Sequence, residues 1–176
     1  MNPDSELLGQ YRTALNRIQL AYASLMLWSY PEIPRLFDQL LDAMPDRVRL
    51  FPDVSRLVHD DVTMRIACED LYTLAYRSAL TDLLPLTKTY CHATGQIEKL
   101  KAQPWFQFWR ILRNCFAHDQ KFNFNPTERA MLPVAWSGVT IEYSMNGQPL
   151  HHGQMSYAKM KELIEVAQAF LVHEVT

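Results

Sequence analysis

Between Pro104 and Lys121 the chain reads PWFQFWRILRNCFAHDQK, and no other stretch restricts the fold so tightly. Proline suits the opening of a helix, whose first turn needs no backbone donor. Trp105, Phe108, Trp109, Leu112 and Phe116 then recur three and four apart, the spacing of one apolar helical face. Gln107, Arg110, Asn114 and His118 stand on another side, with Arg113 beside them. Such a helix must lay its aromatic face on a core. The plainest reading of its polar side is hydration, since amphipathicity is the rule for surface helices.

The rest of the chain supplies helices to make that core. Leu8, Tyr11, Leu15, Ile18, Tyr22 and Leu25 predict a packing seam along a helix from Asp4 or Ser5 to Tyr30. Pro31 and Pro34 stop it and restart a short helix through Leu36, Phe37, Leu40 and Leu41. Met44 to Asp53 reads as a loop. A second long helix should begin at Asp53 or Ser55, both good caps, and reach Leu84. Pro85 should kink or end it, Leu86 to Ala93 forms a last piece, and Thr94-Gly95 is the stop. Gln96 to Ala102 leads into the aromatic helix.

Past that helix the period changes to two. Val139, Ile141, Tyr143 and Met145 alternate with polar residues, as in a half-buried strand. Leu132, Val134 and Trp136 pair with it across Ser137-Gly138, and Asn146-Gly147 is a further tight turn. Ser156 caps a final helix with a seam of Met160, Ile164, Ala167 and Leu171. The expected fold class is mainly α: a single-domain helical bundle over residues 1–176, with a small β-hairpin insert before the last helix.

Length and composition fit one globular domain: 176 residues, 48% hydrophobic and 20% charged. A net charge of −2 provides no global field for nucleic acid. The local balance differs, because Lys99 to Lys121 holds five basic residues and the single acid Asp119. Cys68, Cys91 and Cys115 form no C-x-x-C pair, so neither a zinc ribbon nor a disulfide framework is expected. MNPDSELL carries acids where a signal peptide carries Lys or Arg, and Leu20 to Trp28 falls short of the roughly 20 residues of a membrane span. The expectation is a cytoplasmic protein with no membrane partner.

Arg113-Asn114-Cys115-Phe116-Ala117-His118 resembles the Arg-x4-His signature of the HEPN superfamily, in which a polar residue often follows the arginine. The tryptophan-rich helix late in a helical chain, followed by a hairpin and one last helix, also resembles small stand-alone bacterial HEPN proteins. That resemblance implies metal-independent cleavage of RNA, with the ribose 2′-hydroxyl as nucleophile, leaving a 2′,3′-cyclic phosphate (or 3′-phosphate) and a 5′-hydroxyl. Arg113 would clamp phosphate oxygens with its planar fork, and His118 would move the proton. Asn114 is the candidate to orient the scissile group and Asp119 to hold the imidazole, with Arg110 and Lys121 as RNA-binding residues. No cofactor and no metal is implied.

Five residues at 3.6 per turn leave Arg113 and His118 about 140° apart on a straight helix. They converge only if the helix ends before His118 or a second copy completes the site, and the resemblance implies a homodimer. Trp105, Phe106, Trp109 and Ile111 exceed what one helical face needs, which predicts a second apolar interface through this helix.

Other candidates have plainer readings. His59-Asp60-Asp61 has no second ligand cluster at metal spacing, and His151-His152 sits past a turn. Cys115, Tyr72, Tyr76 and Tyr90 read as core. Neither a phosphate-binding loop nor a G-x-S-x-G elbow is present. The expected function is an endoribonuclease acting as a toxin or defence effector, with an antitoxin or a nucleotidyltransferase as partner. The alternatives are a catalytically silent HEPN module that binds a partner protein or nucleotide, and an unrelated helical oligomerisation domain.

Overall fold

The computed structural model describes residues 3–44, 53–118, 120–151 and 153–175, and the fold is mainly α. Helix α1 spans Pro3–Trp28, α2 Ile33–Ala43, α3 Val54–Val58, α4 Asp61–Ala93, α5 Ile97–Lys101 and α6 Phe106–Ala117. A short α7, Pro126–Arg129, leads to strands β1, Val134–Trp136, and β2, Val139–Ile141. A 3-10 turn at Tyr143–Met145 and helix α8, Tyr157–His173, complete the order. The chain divides into two compact units: residues 1–15 with 76–176, and residues 16–75. Helices α1 and α4 contribute to both.

The first unit carries the aromatic helix. All five residues of the expected apolar face of α6 are buried, and so are Phe106 and Ile111. Each large apolar side chain removed from water contributes about 1.5–3 kcal/mol. The Trp109 indole N–H donates to the Leu80 carbonyl at 2.9 Å, which pins α6 to α4. Trp105 meets Phe170 of α8 edge-on with ring centres 5.8 Å apart, and Phe108 meets Trp136 of β1 at 5.7 Å. The apolar surplus expected to build a second interface through α6 is therefore consumed inside this unit. It leaves no apolar face on α6 for a second copy.

Helix α4 continues through Pro85, so of the two expected outcomes, a kink or an end, the helix does not end there. Proline there forfeits the bond to the Thr81 carbonyl and costs about 3 kcal/mol. The ring itself faces solvent, while Leu83, Leu84, Thr87 and Cys91 around it are buried. Burial of those neighbours outweighs the lost bond. The helix stops where expected: Gly95 adopts φ 69°, and the Gln96 N–H reaches back to the Cys91 carbonyl at 2.6 Å. Tyr11 of α1 donates to Thr87 Oγ1 at 2.6 Å, and Thr87 in turn donates to the Leu83 carbonyl at 2.8 Å. This polar pair is buried and fully satisfied.

The hairpin pairs Val134 with Ile141, Ala135 with Thr140 and Trp136 with Val139. Ser137 and Gly138 both take positive φ, 48° and 80°, as a two-residue hairpin turn requires. The second strand ends at Ile141, short of the expected Met145. Beyond the 3-10 turn the chain returns alongside residues 120–122, with the Leu150 N–H bonded to the Gln120 carbonyl at 2.7 Å and the Phe122 N–H to the Gln148 carbonyl at 3.0 Å. Ser156 caps α8 as expected, and Met160, Ile164, Ala167 and Leu171 are buried.

The second unit holds α2, α3, the second half of α1 and the first half of α4; the first half of α1 belongs to the first unit. The buried line of α1 is Leu7, Tyr11, Ala14, Ile18 and Ala21, alternating four and three apart. Tyr11 and Ile18 of the expected seam lie on this line, while Leu8, Leu15 and Tyr22 flank it by one position. The expected second helix start is also divided: α3 ends at Val58, and α4 begins after Asp60, whose carboxylate accepts from the Thr63 N–H at 3.0 Å and hydroxyl at 2.9 Å. Exposed apolar side chains concentrate in this unit, including Leu20, Leu27, Leu40, Ile66 and Leu74. The loop expected over Met44 to Asp53 falls mostly on residues 45–52, outside the described ones.

Candidate functional site: a basic groove between two helices

Helices α4 and α6 of the first unit border an open groove of about 650 Å³. Lys88, Thr89 and His92 line it from α4; Arg110, Arg113 and Asn114 line it from α6. Lys88 and His92 are one helical turn apart, as are Arg110 and Asn114, so each helix turns one polar stripe to the groove. Four of these side chains are cationic or become so on protonation. Among the described residues, none that lines the groove is acidic.

Arg113 is held rather than free. Its Nη1 donates to Asn114 Oδ1 at 3.2 Å, while its Nε is buried with no hydrogen-bond partner. The Asn114 amide N–H₂ donates to Glu128 Oε1. Glu128 is the third residue of α7 and 1% exposed. Its other oxygen accepts from the Asn125 N–H at 3.0 Å, and Asn125 Oδ1 accepts from the Glu128 N–H at 2.9 Å. This reciprocal cap ties the turn to α6. Asn114, expected to orient a scissile group, makes its two side-chain bonds to Arg113 and Glu128.

Helix α6 does end before His118, one of the two conditions for convergence with Arg113. His118 is the C-cap residue, with φ −120° and ψ 63°, and its side chain is exposed. It does not line the groove that holds Arg113. Arg110 does, and among the described residues its Nη2 meets the Met131 sulfur at 3.9 Å. Lys121 is exposed, with its backbone bridged to Pro149 and its side chain outside the groove. Asp119 lies outside the described residues.

Elsewhere the polar candidates have structural partners. His59 Nε2 lies 2.6 Å from Asp38 Oδ2, and Ser55 donates to the same carboxylate at 2.9 Å. These bonds hold the Asp38 carboxyl below the usual range. Among the described residues no group of three or more His, Cys, Asp and Glu is placed to hold a metal ion. His152 lies outside the described residues, and His151 is exposed. Tyr76 is buried with its ring 5.3 Å from that of Tyr157, and Tyr72 stacks on Tyr22 at 5.7 Å. Burial pushes the Cys115 thiol up to about 12, which keeps it a thiol and removes it as a nucleophile. No described helix is long and apolar enough to cross a membrane.

Three residues of this site escaped the sequence reading. Lys88 and His92 share one stripe by their spacing of four, but no local signal told that this stripe faces α6. Glu128 had a local signal in Asn125-Pro126-Thr127-Glu128, the pattern of a capping box with proline at the first helical position. The chain matches no family model, no curated protein and no solved structure.

Proposed function

We propose that the chain is a metal-independent endoribonuclease of the HEPN type. The observation that carries this reading is Arg113: a guanidinium oriented by Asn114, on an acid-free groove whose other polar residues are donors. Arginine there neutralises charge on the phosphoryl oxygens as the 2′-hydroxyl attacks phosphorus and the bond to the 5′-oxygen breaks. The hydroxyl proton leaves to a base and the 5′-oxygen gains one from an acid, the exchange that histidine performs near neutral pH. His118 is solvent-exposed and lies outside the groove, so the reading includes a twofold dimer in which His118 of one copy serves the groove of another. Arg110 and Lys121 extend contact along the strand. A toxin or defence role, held in check by an antitoxin or a nucleotidyltransferase, follows from the resemblance.

Purified protein should cut RNA in EDTA and leave DNA intact, because DNA lacks the nucleophile. Arg113→Ala and His118→Ala should each lose at least ~10²-fold. Full activity in His118→Ala, or strict dependence on Mg²⁺, would sink the mechanism.

The second reading is a catalytically silent module that binds a partner protein or nucleotide. It is favoured by the exclusion of His118 from the groove and by the exposed leucines of residues 16–75. Absence of any cleavage, with a folded chain that binds a partner, would decide for it.

A further inference from the structure

The Arg-x4-His motif accounts for one wall of the groove only. The opposite wall, on α4, carries Lys88 and His92 on adjacent turns, both exposed. Neither is engaged by a carboxylate among the described residues. Across from them Arg110 and Arg113 are equally without an acidic partner, and the Arg113 Nε is buried and unbonded. Elsewhere on the first unit lysines meet acids: Lys101 pairs with Glu98 at 2.7 Å, and Lys159 with Glu162 at 3.1 Å. A concentration of like charge left uncompensated, in a chain of net charge −2, marks a place where the neutralising charge arrives with the ligand.

We propose that Lys88 and His92 form a phosphate-binding wall that holds the RNA backbone beside the nucleotide bound by Arg113. The choice of RNA among polyanions rests on the ribonuclease reading; the anion site itself rests on the groove. Lys88 acts as a point charge on a non-bridging oxygen, and His92 donates an imidazole N–H to a neighbouring phosphate. Backbone contacts of this kind position the strand without reading its sequence. The wall therefore sets affinity and register, while the chemistry stays with Arg113 and its acid–base partner.

The test uses the full chain and a fluorescent 2′-O-methyl oligoribonucleotide, which binds as RNA but has no nucleophile. Anisotropy titrations across a range of salt compare the wild type with Lys88→Ala, His92→Ala and the double variant. Lys161→Ala, on α8 outside the groove lining and paired with Glu165, is the control. The double variant should bind at least about tenfold more weakly, and each lost phosphate contact should flatten the logarithmic salt slope by about 0.7. Thermal melting should stay that of the wild type, because both side chains are exposed. Unchanged affinity and slope in the double variant, or no binding by the wild type, overturns the proposal. Groove-dependent binding without cleavage of the matching ribose RNA upholds the wall and overturns the nuclease. Intact cleavage with unchanged binding in the double variant does the reverse.

Discussion

The side-chain amide of Asn114 bonds to the carboxylate of Glu128, across fourteen residues of sequence. The same asparagine accepts from Arg113, so a buried carboxylate on α7 fixes the direction of a guanidinium on α6.

Removing that carboxylate should therefore act on two elements at once. Glu128→Ala deletes half of the capping box and strands the Asn114 amide, and should cost about 1–3 kcal/mol in chemical denaturation. Glu128→Gln keeps one oxygen acceptor and should fall between the two. If Glu128→Ala melts like the wild type, the bond network is not formed in solution.

The Tyr11–Thr87 pair makes stability depend on alkaline pH. Burial raises the Tyr11 phenol above its ordinary value, against the opposing effect of the Thr87 hydrogen bond. In the unfolded chain the phenol ionises near pH ~10, whereas in the folded chain it stays protonated. The folded state then binds more protons, so its stability is full below pH ~10 and falls as pH rises beyond it. Tyr11→Phe should lose about 1 kcal/mol at pH 7 and show a shallower alkaline decline. A gap between the two proteins that stays constant from pH 7 to 11 would contradict this.

Cysteine labelling gives an independent check on packing. Cys68, Cys91 and Cys115 are all buried, and burial raises each thiol. At pH 8 the thiolate is scarce in the native protein, so an aromatic disulfide reagent should react slowly. In denaturant it should titrate three thiols. Rapid native labelling of Cys115 would mean that α6 does not sit on its core as described.

Gly95 isolates backbone strain from packing. A Cβ there would meet nothing within 4 Å, yet φ is 69°. Gly95→Ala should cost about 1 kcal/mol through the left-handed backbone alone, and Gly95→Asn less. Equal stability of the alanine form would show that the stop after α4 is not held in this conformation.

The elements with strong local signals were legible from sequence. The aromatic period of α6, the Ser137-Gly138 turn, the Ser156 cap and the Gly95 stop each depend on residues within one or two turns of chain. At Pro85 the helix continues rather than ends, because a local rule worth about 3 kcal/mol meets burial of Leu83, Leu84 and Cys91, which only the tertiary fold supplies. In α1, Tyr11 and Ile18 were legible as seam residues, whereas buried Ala14 and Ala21 carry a weaker apolar signal than the adjacent Leu15 and Tyr22. At the candidate site, Arg110, Arg113 and Asn114 could be placed on one side of a helix by spacing. Lys88 and His92 could not, since their approach to that side is a matter of how α4 and α6 cross, and no period within either helix encodes it.

Helix α7 is a single turn of four residues, closed by the same carboxylate that steadies Arg113. Unwinding that turn releases Asn114, and with it the guanidinium loses its bearing on the groove. Pulling Asn125 away from Glu128 would loosen the Arg113 side chain from outside the groove. Proton exchange at the Glu128 amide, bonded to Asn125 Oδ1, therefore records how often the clamp is set.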